Sequence, residues 1–224
     1  MNMKTILGSI LICLFLLGCN DSIDENDGTG NLNLPEKNVQ IYNKGDGSLF
    51  SGNGVVNATI YPWNRENIWI VQAGAISNGK LNFSFPSNIP NEKLESFWGE
   101  YEHPNALITP VNTKFCGTIS TFRFPFIVYN SIGVKLGELK YGKIIMTDTG
   151  FIGDTVYYFY FNQNSTVSGF FSFPETNETE NYQINAKKGW NRIYIHSTWV
   201  NNNGLTTFTT DSKNIPNDLK WEFE

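Results

Sequence analysis

The stretch NIWIVQAGAISNGKLNFSFP, residues 67–86, decides the fold class. Two apolar-rich runs flank the dipeptide Asn78-Gly79. A two-residue type I′ turn needs positive φ at both central positions, and Asn-Gly adopts that pair at the least steric cost. Beyond the turn, Leu81, Phe83 and Phe85 alternate with Asn82 and Ser84. A period of two places the three apolar side chains on one face of a strand, whereas a helix would scatter them. The stretch reads as a β-hairpin.

The same grammar continues on the C-terminal side. YGKIIMTDTGFIGDTVYYFYFNQNSTVSGFFSFP (141–174) reads as three strands joined by Asp/Gly and Asn/Ser turns. NYQINAKKGWNRIYIHSTWVNNNGLTTFTT (181–210) reads as three more, with Lys188-Gly189 and Asn203-Gly204 at the bends. Only PNEKLESF (90–97) has the look of a helical turn. Aromatic residues make up 15% of the chain, which favours the pleated surface of a sheet. The expectation is an all-β body: an antiparallel β-sandwich, immunoglobulin-like or a partly closed barrel. A body of about 190 residues fits one large sandwich or two small ones. TFRFPFIVY (121–129) opens a fresh set of strands after the loop EYEHPNALITPVNTK (100–114). The first part is therefore 37–105, and 106–224 is a second part or a second domain.

On the N-terminal side the chemistry changes. Lys4 precedes an apolar run from Ile6 to Leu17. That run has roughly 12 residues, against the ~20 that a membrane-spanning helix needs. A positive start, a short apolar middle and a small residue at the break describe a secretory signal over residues 1–18. Residues 20–36 then carry Asp21, Asp24, Glu25, Asp27 and Glu36 with no Lys or Arg. Setting those five acids and Lys4 aside, the 21 acidic and 16 basic residues of the chain become 16 against 15. The acidity belongs to this segment. Its composition is that of a disordered, extended tether.

The residues Leu16-Leu17-Gly18-Cys19 resemble the lipobox of bacterial lipoproteins. The resemblance implies that Cys19 is the lipid attachment site: its thiol takes a diacylglycerol, the peptide is cut before it, and the new amino group receives an acyl chain such as palmitate. Several chains, at ~0.8 kcal/mol per buried CH₂, anchor far more firmly than one. The acidic run behind Cys19 resembles the export tag of lipoproteins shown on the outer surface of some Gram-negative bacteria. A plain spacer explains the same composition. The expected address is the outer membrane, lipid-anchored, at the cell surface or facing the periplasm. AGAISNGKLNFSFP (73–86) is similar to transthyretin-like and immunoglobulin-like accessory domains. FNQNSTVSG (161–169), KKGWNRIYIH (187–196) and KWEFE (220–224) together resemble the close of envelope lipoproteins.

Cysteine arithmetic fits export. Cys13 leaves with the signal and Cys19 takes lipid, so Cys116 stands alone, with no internal disulfide or cysteine metal cluster. In FCGTIS it reads as a small hydrophobe in a strand.

Few residues suggest chemistry. Asp148-Thr149-Gly150 resembles the catalytic loop of aspartic peptidases, but a second D-[ST]-G is absent and Phe151 replaces that family's small residue. Asp-Thr-Gly is also ordinary turn material, and a turn is the expectation. His103 lies with Glu100 and Glu102 in a loop, where a solvated role outweighs metal or acid–base work. His196, alternating with Tyr194 and Thr198, reads as a strand residue. G-x-S-x-G, a phosphate loop, H-E-x-x-H and EF-hand spacing are missing, so no cofactor, metal or catalytic residue is assigned. Trp63 and Trp98 sit in polar loops, where a ring could stack on a sugar or a partner, while Trp69, Trp190 and Trp221 belong in the core. The balanced charge of the body excludes nucleic acid as a partner. The expected function is a non-catalytic binding or accessory module for an envelope protein or glycan. The alternative is an envelope hydrolase whose paired carboxylates lie apart in the chain.

Overall fold

A computed structural model describes residues 38–61, 68–96, 106–118, 126–173, 177–200 and 204–224. The signal, Cys19 and the acidic tether lie outside the described residues, as do Trp63, Trp98, Glu100, Glu102, His103 and the junction at residue 105.

The decisive hairpin is formed by β3 (Trp69–Ser77) and β4 (Lys80–Phe83). Asn78 has φ 49° and Gly79 φ 73°, the positive pair that a type I′ turn requires. Gly79 meets a second demand as well, because a Cβ there would run into the carbonyl of Phe50. Leu81 is fully buried, Phe85 nearly so, and Phe83 packs on the same core. In β3 the alternation breaks once. Val56 faces Gly74 but Asn57 faces Gln72, so a bulge at Ala73 turns Ala73 and Gly74 inward in succession.

β3 also pairs with β2 (Gly54–Tyr61), and this closes a circuit. β4 joins β1 (Val39–Asn43), β1 joins β15 (Trp221–Phe223), and β15 joins β9 (Lys135–Thr147). β9 joins β10 (Gly150–Phe161), β10 joins β7 (Lys114–Thr118), and β7 returns to β2. β8 (Phe126–Tyr129) is wedged between β2 and β9. Eight strands thus form a closed hydrogen-bonded ring, with Ile41, Val56, Leu81, Phe126, Leu139, Tyr158 and Trp221 in its core. Closure leaves the ring itself without a terminal strand; the sheet's open end is β6, beyond the ring.

The second half of the chain builds outward from β10. β13 (Gly189–Val200) pairs with it over its whole length, then β14 (Gly204–Asp211), β12 (Glu178–Ala186), β11 (Ser165–Phe173) and β6 (Ala106–Thr109) follow. β10 explains why one sheet supports two cores. Val156, Tyr158 and Tyr160 face the ring, while Phe159 and Phe161 face a second cluster with Val167, Phe171, Ile184 and Ile193. A strand apolar on both faces is a shared wall.

The fold is all-β, as the sequence implies, and consistent with a sandwich or partly closed barrel. It departs from a purely antiparallel sheet at two places. β1 and β15 run parallel, and so do β12 and β14. The first pair brings the beginning and end of the body together. The second arises because β14 inserts between β12 and β13, which therefore do not pair despite the short Lys187-Lys188 link. The expected helical turn is a 3₁₀ helix, Asn91–Lys93, followed by β5 (Glu95–Ser96). Cys116 is fully buried on β7, and burial pushes its thiol pKa up to about 12. It is inert packing, as its sequence context implies.

Candidate functional site

The site grows from one rung of the sheet. Lys143 on β9 stands opposite Asp154 on β10, Asp154 opposite His196 on β13, and His196 opposite Phe208 on β14. Because side chains alternate, the ring-facing side also carries Tyr194 on one flank of this rung and Ile145, Ile152 and Thr198 on the other. Asp154 is in phase with Val156 and Tyr158, so the pattern that buries those residues buries a carboxylate. Its relative exposure is 6%.

A buried carboxylate needs donors, and the rung supplies them. Asp154 Oδ1 accepts from Tyr194 Oη at 2.5 Å and from His196 Nδ1 at 2.8 Å. Lys143 Nζ lies 3.9 Å from Oδ2 and donates to Asp218 Oδ2 at 2.6 Å. Asp218 belongs to the segment between the 3₁₀ turn Ser212–Asn214 and β15. Burial, and then the hydrogen bond and charge of Asp154, hold the Tyr194 hydroxyl well above the ordinary tyrosine range. Tyr194 therefore remains a donor throughout the physiological range. The hydrogen bond to Asp218, reinforced by the charges of Asp218 and Asp154, raises the Lys143 ammonium, and the reciprocal bond lowers the Asp218 carboxyl.

His196 is the exposed end of this network, with a side chain 40% accessible. An ionised Asp154 requires a hydrogen on Nδ1, which leaves Nε2 bare in the neutral ring. Thr198 Oγ1 lies 3.3 Å from Nε2 and is the donor in that arrangement. Chemically the network offers an imidazole fixed in one tautomer, able to accept a proton or a hydrogen bond, beside a lysine cation and an apolar flank.

Several sequence expectations can be placed. Asp148 occupies the two-residue turn between β9 and β10, away from the rung. Trp190 and Trp221 are buried in the core, and Trp69 packs against it. Trp190 Nε1 donates to the Pro86 carbonyl at 2.8 Å. His196 is on a strand as read, but its partnership with Asp154 crosses 42 residues and was not visible from spacing. Asp154, Lys143, Asp218 and Trp199 were all missed. One signal existed for Asp154: a charge in phase with the buried residues of GDTVYYFYF.

No family model, curated protein or solved structure matches the chain.

Proposed function

We propose that this chain is a lipid-anchored cell-envelope protein, attached through Cys19, whose β body is a non-catalytic binding or accessory module for an envelope protein or glycan. The observation that carries the binding reading is the Lys143–Asp154–His196 rung. Its buried carboxylate is occupied by donors from its own sheet, so what reaches solvent is a fixed imidazole edge, a cation and apolar neighbours. That is a recognition surface: a few oriented polar groups on a rigid apolar support.

A second reading, a hydrolase, is favoured by the Thr198–His196–Asp154 geometry, which has the order of nucleophile, base and orienting acid. Among the described residues, the backbone of this rung offers no oxyanion site. β10 and β13 are each flanked by paired strands at this level, so their backbone N–H groups belong to the ladders and cannot converge on a substrate. Binding is accordingly the leading function.

Calorimetry with purified lipopolysaccharide, peptidoglycan fragments and their constituent oligosaccharides, alongside assays for ester, glycosidic and peptide cleavage, separates the two. Saturable binding that is lost in His196→Ala, without turnover, supports the module. Turnover abolished in both His196→Ala and Thr198→Ala would replace it with the hydrolase.

A further inference from the structure

Four strands run on past the ring and end together. Thr147 stands opposite Gly150, Gly150 opposite Val200, and Val200 opposite Gly204, so the β9–β10 turn lies beside the end of β13 and the start of β14. This tip is apolar on its outside. Met146 is 75% exposed, Ile145 50% and Trp199 38%, and Trp199 stacks on Phe151 with centroids 6.2 Å apart. Across residues 144–153 and 199–206 the sole charged residue is Asp148, with Glu178 of β12 at the margin opposite Leu205, in a chain that is 17% charged. Apolar side chains gathered at a projecting, weakly charged tip mark a surface that meets something other than water.

The register shows which way the tip points. Ile41 pairs with Trp221, and Trp221 with Tyr141; Asn43 pairs with Phe223, and Phe223 with Leu139. Descending β1 toward the start of the chain therefore runs in the same direction as ascending β9 toward its turn. Asn38, where the described chain begins, and the β9–β10 tip lie at the same end of the body. From the Ile41–Trp221–Tyr141 rung the tip extends six residues, about 20 Å, and Asn38 three residues, about 10 Å. The 19 residues linking Cys19 to Asn38 span on average about 24 Å if unstructured. A lipid at Cys19 holds that end of the body to the bilayer, with slack enough for the tip to reach it.

We infer that the tip formed by Ile144, Ile145, Met146, Phe151 and Trp199 is a membrane-docking surface that seats on the lipid bilayer to which Cys19 is anchored. The inference rests on the Cys19 anchor proposed above. Trp199 sits at the water–lipid boundary, where indole is favoured, and Asp148 stays among the headgroups. Docking fixes the orientation of the body and brings the Lys143–Asp154–His196 rung, just behind the tip, close to the membrane surface.

The test uses the mature full-length lipoprotein reconstituted into phosphatidylethanolamine/phosphatidylglycerol vesicles whose acyl chains carry bromine, a short-range quencher of tryptophan fluorescence. Docking is expected to quench wild-type emission, with Trp199→Phe removing at least half of that quenching. Met146→Asp should reduce it at least twofold while the protein still floats with the vesicles and keeps the wild-type far-ultraviolet spectrum. Equal quenching in wild type and Trp199→Phe overturns the inference, as does a Trp199 shielded from aqueous acrylamide only as protein density rises, which would assign the tip to a second copy. Flotation and mass analysis of Cys19 report the anchor separately. A lipidated, floating chain whose Trp199 is unquenched refutes docking alone, whereas a chain without lipid at Cys19 refutes the anchor and docking with it.

Discussion

His196 and Asp154 face each other across the β10–β13 ladder, with Nδ1 2.8 Å from a carboxylate oxygen that also accepts from Tyr194. The pair divides labour between the inside and the outside of the body. Asp154 is enclosed and its loss must be felt by the fold, while His196 reaches solvent and, in the proposed binding module, its loss is felt by the ligand.

Asp154→Asn keeps the shape but removes the charge that orients two donors, Tyr194 and His196, and faces the Lys143 cation. It is expected to destabilise the body by about 2–3 kcal/mol, since hydrogen bonds to charged groups carry roughly that much. His196→Gln should cost less than about 1 kcal/mol, because the imidazole is partly solvated. Urea denaturation of the two variants checks both figures. Equal losses would show that the rung is a structural ladder and not an oriented surface group.

The pairing also explains how much of the molecule was legible in its sequence. Period-two alternation and the Asn78-Gly79 turn are local, so hairpins and core residues such as Leu81 and Trp221 follow directly. The parallel β1–β15 and β12–β14 pairings are not local: they join segments through the closure of a ring or the insertion of β14, and no adjacent residues encode them. The candidate site is of the second kind. Lys143, Asp154, His196 and Asp218 come from separate stretches and meet only through register. Trp199 escaped because its phase in β13 is that of Ile193 and Ile195, which pack in the second cluster, and only its position beyond that cluster exposes it.

Stability should decline on the alkaline side. Burial raises the Cys116 thiol from an ordinary 9.0 to about 12 and the Tyr157 phenol to about 12. Both groups are neutral when protonated, and the folded state holds its protons more tightly than the unfolded chain does. Their contribution is therefore complete below the unfolded pKa and is lost as pH rises toward the folded value. The thiol sets the start of that window near pH 9, and each fully titrating group contributes a slope of up to about 1.4 kcal/mol per pH unit. Measured by urea denaturation from pH 8 to 11, Cys116→Ala should fall less steeply than wild type. An identical slope would mean that the thiol is not held neutral in the folded state.

Tyr158 is fully buried in the ring core, and its hydroxyl has no hydrogen-bond partner among the described residues. An unmet buried hydroxyl costs stability. Tyr158→Phe preserves the ring contacts with Phe85, 5.3 Å away between centroids, and with Trp221, 6.3 Å away. It is expected to raise stability by about 1 kcal/mol. A loss of similar size would reveal a partner for the hydroxyl.

The central claim, a lipid-anchored envelope protein, meets its most direct test in mass spectrometry of the mature N-terminus. A run of roughly 12 apolar residues is too short to span the bilayer as a helix, and the attachment proposed here rests on acyl chains instead. The N-terminal residue should be Cys19, carrying a diacylglyceryl thioether and an acylated amino group, and Cys19→Ala should accumulate as an unlabelled, uncleaved precursor. A mature chain that begins elsewhere, or an unmodified Cys19, would contradict the account.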